Sequence, residues 1–200
     1  MLIPNHTTIL PMKRRLCLWL GILSIGIPAT PLWANNGGCP SPPIPHNVSG
    51  AISPVIGDPL ELSRYDGIQA LILTNATSRN QSVSLSESLV VEFGKNPRLR
   101  QIVLLDGTGL SLVKDLVISE IKKSVPEDPS LLSKHVAVAA DFDGDVVTPL
   151  QTVAQKVLPQ LNIRKQAALL LLDGDGKVIS GYSNLAEENL AIRQCIRQFI

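Results

Sequence analysis

"LLLLDGDGKVIS", Leu169 to Ser180, sets four leucines against two aspartates and two glycines. A calcium loop, a phosphate loop and a hairpin turn can all be written with such a string. Calcium needs oxygen ligands at alternating positions and a bidentate acid at the twelfth. Counted from Asp173, the third position is Asp175, but the fifth is Lys177 and the twelfth Asn184. A lysine where a ligand oxygen belongs repels the ion. A phosphate loop needs glycines followed by Lys-Ser/Thr, which are absent here. Asp and Gly do supply the positive backbone angles of a tight turn. The stretch therefore reads as a buried strand, a turn and a returning strand, and strands joined so closely run antiparallel.

Upstream of this hairpin, "GIQALILTN" from Gly67, "RQIVLLD" from Arg100 and "KHVAVAADF" from Lys134 are apolar runs of strand length. Helical spacing separates them. "SVSLSESLVVEF" places Leu85, Leu89, Val90 and Phe93 on one face. "SLVKDLVISEIKKSV" is apolar around much of its surface and ends on Lys122 and Lys123, where cations suit the helix dipole, before the "PEDPS" linker. "TPLQTVAQKVLPQL" carries Pro149 in its first turn and Leu150, Val153, Val157 and Leu161 on one side. "LAEENLAIRQCIRQFI" reads as a closing helix that buries Leu185, Ile192, Ile196 and Phe199. Strands alternating with helices require crossovers and hence parallel pairs. The expected order is β-α-β-α-β-α-β-β-α, an α/β fold whose mixed sheet has helices on both faces.

The 200 residues, 44% of them apolar, suffice for one domain. Lys13 to Arg15 directly precede the apolar run Leu16 to Ile27, and "PLWANN" follows. This is the pattern of a secretory signal, too short for a comfortable membrane span. The expected division is a signal peptide over 1–34, a Pro/Gly-rich tail over 35–59 and a folded domain over 60–200. The location implied is the bacterial periplasm or beyond, with no stable membrane span once the leader is cleaved. Without Lys13, Arg14 and Arg15 the chain carries 15 basic and 17 acidic side chains, formally −2. That balance points away from nucleic acid.

With Cys17 in the leader, Cys39 and Cys195 remain. In an oxidising compartment two cysteines suggest one disulfide. A free buried Cys195 and an exposed Cys39 used for partner chemistry are the competing readings. His46 lies alone in the Pro-rich tail and reads as solvated, so no metal site is expected.

"AADFDGD", Ala139 to Asp145, resembles the first motif of haloacid dehalogenase phosphatases, with Asp141 as nucleophile and Asp143 as acid/base. Asp145 stands where that motif has Thr, and the 55 residues that follow are too few for the later catalytic groups. "LLDGTG" at Asp106 is a third Asp-Gly strand end. His135 opens a strand and no Ser-His-Asp arrangement is suggested, so no catalytic constellation and no cofactor are expected.

The element order and the Asp-x-Asp-Gly hairpin of "AALLLLDGDGKVISGYS" resemble the end of the thioredoxin-like superfamily, in particular its secreted thiol-reductase and peroxiredoxin-like branch. The resemblance implies a three-layer sandwich with a C-terminal β-hairpin and closing helix. It also implies reactive cysteine at the start of the helix after the first strand, and a cis-proline before the hairpin's first strand. Thr74 to Ser84, "TNATSRNQSVS", holds no cysteine, and "NIRKQAALLLL" no proline. A low-pKa thiolate at a helix N-terminus is the nucleophile of this chemistry, and serine without a neighbouring base replaces it poorly. The expectation is an exported, redox-inactive binding or accessory domain for a protein or small-molecule partner. Its ligand loop would be Thr77, Ser78, Arg79 and Ser82. The alternative is a thiol-disulfide or peroxide-linked protein whose chemistry has moved to Cys39 and Cys195.

Overall fold

The computed structural model describes residues 35–36, 39–42, 44–123 and 135–200. The leader expected over 1–34 and the "PEDPS" linker lie outside the described residues. The described elements are, in order, the short strands β1 (Asn35–Asn36), β2 (Cys39–Pro40), β3 (Ala51–Ile52) and β4 (Leu60–Glu61), then β5 (Ile68–Thr74), α1 (Arg79–Phe93), β6 (Leu99–Asp106), α2 (Lys114–Lys123), β7 (Val136–Asp141), α3 (Val147–Val157), β8 (Ala168–Leu172), β9 (Val178–Tyr182) and α4 (Asn189–Arg197). The central sheet has the order β7-β6-β5-β8-β9. β5, β6 and β7 are parallel, with Ile68 opposite Leu99 and Ile102 opposite Ala137. β8 runs antiparallel to β5, with Leu73 opposite Ala168, and β9 antiparallel to β8. The expected mixed sheet is present.

All seven residues of β5 and all five of β8 are buried. Runs apolar on both sides are what strands covered on both faces require. Alternation along β5 sends Leu71 and Leu73 to one face and Ala70 and Ile72 to the other. The first face is covered by Leu150, Ala154 and Val157 of α3. The second is covered by Leu85, Leu89 and Phe93 of α1 and by Ile192 and Ile196 of α4. Each fully buried leucine contributes about 1.5–3 kcal/mol relative to exposure. Phe199, expected in this core, follows the end of α4 and is 37% exposed, while Ile200 packs against the cluster instead.

The segment expected to be a surface tail is a structural strap. Its Val48 and Ile52 join the α3-side core with Leu60 and Leu62. At the hairpin, the Val48 amide donates to Gly176 O at 2.7 Å and the Val178 amide to His46 O at 2.8 Å. At the opposite sheet edge, Val55 N and Ile56 N both donate to Val138 O, and Val138 N donates to Ile56 O. The strap thus engages groups at both ends of the strand order, where unpaired backbone would otherwise invite association. Composition hid this, because the few apolar residues of the strap follow no period.

The hairpin itself is held as its sequence requires. Asp173 Oδ1 accepts from Asp175 N at 3.0 Å and Lys177 N at 2.8 Å. Gly176 has φ +80°, and a Cβ there would lie 2.1 Å from Val48 O. Gln69, a polar residue inside β5, is fully buried and donates Nε2 to Leu62 O at 2.6 Å. Its Oε1 accepts from Arg100, whose guanidinium also stacks 4.4 Å from the Tyr65 ring centroid.

Asp141 caps the α3 side of the sheet. Its Oδ1 accepts from Asp143 N and Gly144 N, and its Oδ2 from Val146 N at 2.8 Å and Val147 N at 2.7 Å. Partial burial pushes its pKa up, but the four backbone amides outweigh that and hold the carboxyl below the usual range.

Gly176→Ala lowers stability by at least twice the cost of Gly109→Ala, which shares a positive φ of +82° but faces open space. The latter costs about 1–2 kcal/mol for the left-handed backbone alone; chemical denaturation measures both. Asp141→Asn costs about 1–3 kcal/mol at pH 7, because both carboxylate oxygens accept from backbone amides and the new NH2 group cannot. A lowered folded pKa means its stabilisation is complete above the unfolded Asp value of about 4. That stabilisation disappears as pH falls through the folded value. Melts of both proteins therefore converge in acid.

Candidate functional site

The C-terminal end of β5 runs into α1 through Thr74–Ser78, where the resemblance placed reactive cysteine. An aspartate-like turn built on Asn75 closes this loop on itself. Asn75 Oδ1 accepts from Thr77 N at 2.9 Å and Ser78 N at 3.0 Å. Two amides that could face an incoming anion are thereby used internally. Ser78 is fully buried; its Oγ accepts from Asn75 N at 3.1 Å and lies 3.2 Å from Thr74 Oγ1. Ser82 is also buried and donates to Arg79 O at 2.7 Å. Of the four loop candidates, Thr77 and Arg79 are exposed, while Ser78 and Ser82 hold the turn together from inside.

The loop before β8 is tied to the same place. Asn75 Nδ2 donates to Ile163 O at 2.7 Å, and the Ala167 amide donates to Gln81 Oε1 at 3.2 Å. The amide at the start of β8 is thus occupied by an α1 side chain.

Cys39 and Cys195 are bonded, with their Cα atoms 5.0 Å apart and a sequence separation of 156. They are 1% and 0% exposed, within the core that α1 and α4 form with the sheet. The crosslink therefore joins the start of the strap to α4. By chain entropy, closing so long a loop stabilises by about 5 kcal/mol.

The three Asp-Gly stretches are accounted for by local structure. Asp141 is committed to four amides, which leaves its oxygens no nucleophilic role. Asp106 Oδ1 accepts from Thr108 N at 3.0 Å and Thr108 Oγ1 at 2.6 Å, and its Oδ2 from Gln151 at 2.7 Å. Asp173 holds the hairpin. Among the described residues no group of three or more His, Cys, Asp or Glu is placed to hold a metal. No described helix is long and apolar enough to cross a membrane.

A cavity of about 670 Å³ lies between α1 and α2. Its lining includes Val103 and Leu105 of β6, Val136 and Val138 of β7, Val83, Val90 and Val91 of α1, and Leu116, Val117 and Ile121 of α2. α2 has no fully buried residue, and Leu116 is 61% and Val91 88% exposed. Val90, at helical spacing with Leu85, Leu89 and Phe93, is only half-buried, whereas those three are buried. The apolar circumference of α2 was the signal in the sequence, but a helix read alone does not reveal which face stays uncovered by the described residues.

No family model matches the chain, and no curated protein matches it in sequence. Solved structures do resemble it. The exposed lipoprotein thioredoxin Etrx1 of Streptococcus pneumoniae is 14% identical, covering 76% of this chain and 99% of that one, with a TM-score of 0.51. Peroxiredoxin Q of Xanthomonas campestris is 13% identical over 74% of this chain and 90% of that one, with a TM-score of 0.49. StoA of Bacillus subtilis is 7% identical over 74% and 98%, with a TM-score of 0.48. At such identities a likeness establishes fold alone. The mixed sheet, the terminal hairpin and the closing α4, together with the match to Etrx1, show that this chain has the thioredoxin-like fold.

Proposed function

We propose that this chain is an exported thioredoxin-like binding or accessory domain that performs no dithiol exchange at the N-terminus of α1. One observation carries the reading. Where the fold's redox chemistry needs a thiolate facing solvent, this chain has Ser78, fully buried and bonded to Thr74 and Asn75. The absence of cysteine between Thr74 and Ser84 removes the nucleophile. The occupied Ala167 amide removes an open seat for substrate backbone. The Cys39–Cys195 bond acts as a permanent staple, because thiol attack needs access to sulfur and both sulfurs belong to buried residues. The leader pattern and the disulfide together support an extracytoplasmic location.

The relocated-redox alternative has one favourable fact, that the two remaining cysteines do pair. Burial weighs against it.

Insulin reduction and peroxide consumption are the direct assays. Neither activity is expected above the uncatalysed rate in the wild-type protein, nor in the double variant Cys39→Ser, Cys195→Ser. Turnover that vanished in the double variant would establish the relocated site instead. Turnover that survived it would place redox chemistry elsewhere in the chain.

A further inference from the structure

We infer that the strap closes as one unit over an already folded sheet, and that the Cys39–Cys195 bond is made in the strap-open form by exchange with an external disulfide. This concerns how the staple is made; it rests on the staple reading and not on what the domain binds.

The strap, taken from Cys39 to Leu62, is tied to itself better than to the sheet. β3 pairs with β4, Ala51 opposite Glu61 and Ile52 opposite Leu60, and Leu62 N donates to Gly50 O at 2.9 Å. Its backbone bonds to the sheet are those at Val48 and His46 on the hairpin and at Val55 and Ile56 on Val138. Among the described residues between Pro40 and Glu61 only Val48, Ile52 and Leu60 are buried. Three apolar side chains against the backbone entropy of about twenty residues leave the closed strap marginal without a covalent tie. The sheet has no such need. All five of its strands lie at or beyond Ile68, as do α3 on one face and α1 and α4 on the other. Among the described residues, Cys39 alone brings a strap side chain into the α1–α4 core.

Burial of the two cysteines sets the order of events. Once the strap lies down both are enclosed, and an oxidant has no access to sulfur. In the unfolded chain the two thiols are 156 residues apart. With α4 docked and the strap open, only the chain from Cys39 to Ile68 is free, and the shorter loop makes their encounter more frequent. In that form the Cys39 thiolate attacks the external disulfide, forms a mixed disulfide and expels one thiolate. As the strap closes, the Cys195 thiolate attacks the Cys39 sulfur and expels the second. The two thiols give up two protons and two electrons, and the electrons reduce the external disulfide to two thiols. The finished bond tethers the strap and suppresses its reopening roughly a hundredfold or more.

The test is hydrogen exchange read by mass spectrometry on the oxidised wild-type protein and on Cys39→Ala and Cys195→Ala. Both variants are expected to stay folded by circular dichroism. In Cys39→Ala, peptides carrying Val48, Val55 and Leu62 should exchange together, at least tenfold faster than those of β5 and β8. Low denaturant should change the strap rate little, because opening it exposes far less surface than unfolding. In the oxidised wild type the same strap peptides should exchange roughly a hundredfold more slowly than in the variant. Cys195→Ala, given glutathione disulfide without denaturant, should take up glutathione on Cys39 at the rate at which its strap exchanges. The inference is overturned if either variant unfolds or if the strap and β5 exchange at one rate. It is also overturned if Cys39 takes up glutathione only at the slower rate of β5. Insulin reduction is measured on the same oxidised preparation. A single exchange rate with insulin unreduced sinks this inference alone, whereas insulin reduction sinks the staple reading beneath it.

Discussion

The burial of β5 on both faces is the constraint to which the rest of the domain answers. A seven-residue strand with no exposed position needs a neighbour on each edge and a layer above and below. β6 and β8 supply the edges; α3 with the strap covers one face, and α1 with α4 the other. Gln69 and Thr74 are its polar members, and Gln69 is tolerated because its side chain bonds to Leu62, Asp173 and Arg100. α2 contributes least to this burial, and the cavity is the consequence.

The strap extends the same logic to the sheet margins. It meets the β8–β9 turn through Val48 and the free side of β7 through Val55 and Ile56. The Cys39–Cys195 bond then fixes its beginning against α4. A segment with too few apolar residues to order itself becomes ordered because the covalent tie and the backbone pairing reduce what its own burial must supply. The Cys39–Cys195 bond and a buried serine at the N-terminus of α1 are features of one molecule that keeps the thioredoxin-like fold.

How much of this was legible in the sequence depended on whether the determining physics was local. Asp173 and Gly176 announce the hairpin because turn geometry is a property of a few adjacent residues. The strands β5 and β8 are legible as uninterrupted apolar runs. The antiparallel placement of β8 beside β5 is not, since the connection after α3 is long enough to permit either direction. The role of Val48 is hidden because its partner, Gly176 O, is distant in sequence. The Phe199 expectation failed because α4 ends at Arg197 and the helical spacing no longer applies. At the site, the missing cysteine between Thr74 and Ser84 could be read directly. The inward orientation of Ser78 could not, because it depends on the turn that Asn75 makes with its own backbone.

Whether the crosslink is a staple or a working redox pair is the point on which the functional account stands. Differential alkylation with mass spectrometry, on protein equilibrated with a glutathione buffer at cellular potential, reads it residue by residue. With Cys39 and Cys195 enclosed between the strap, α4 and the sheet, neither should be alkylated in the folded protein, and both should react only when denaturant is added with the reductant. Alkylation of both in the folded state, reversed by reoxidation, would contradict the account.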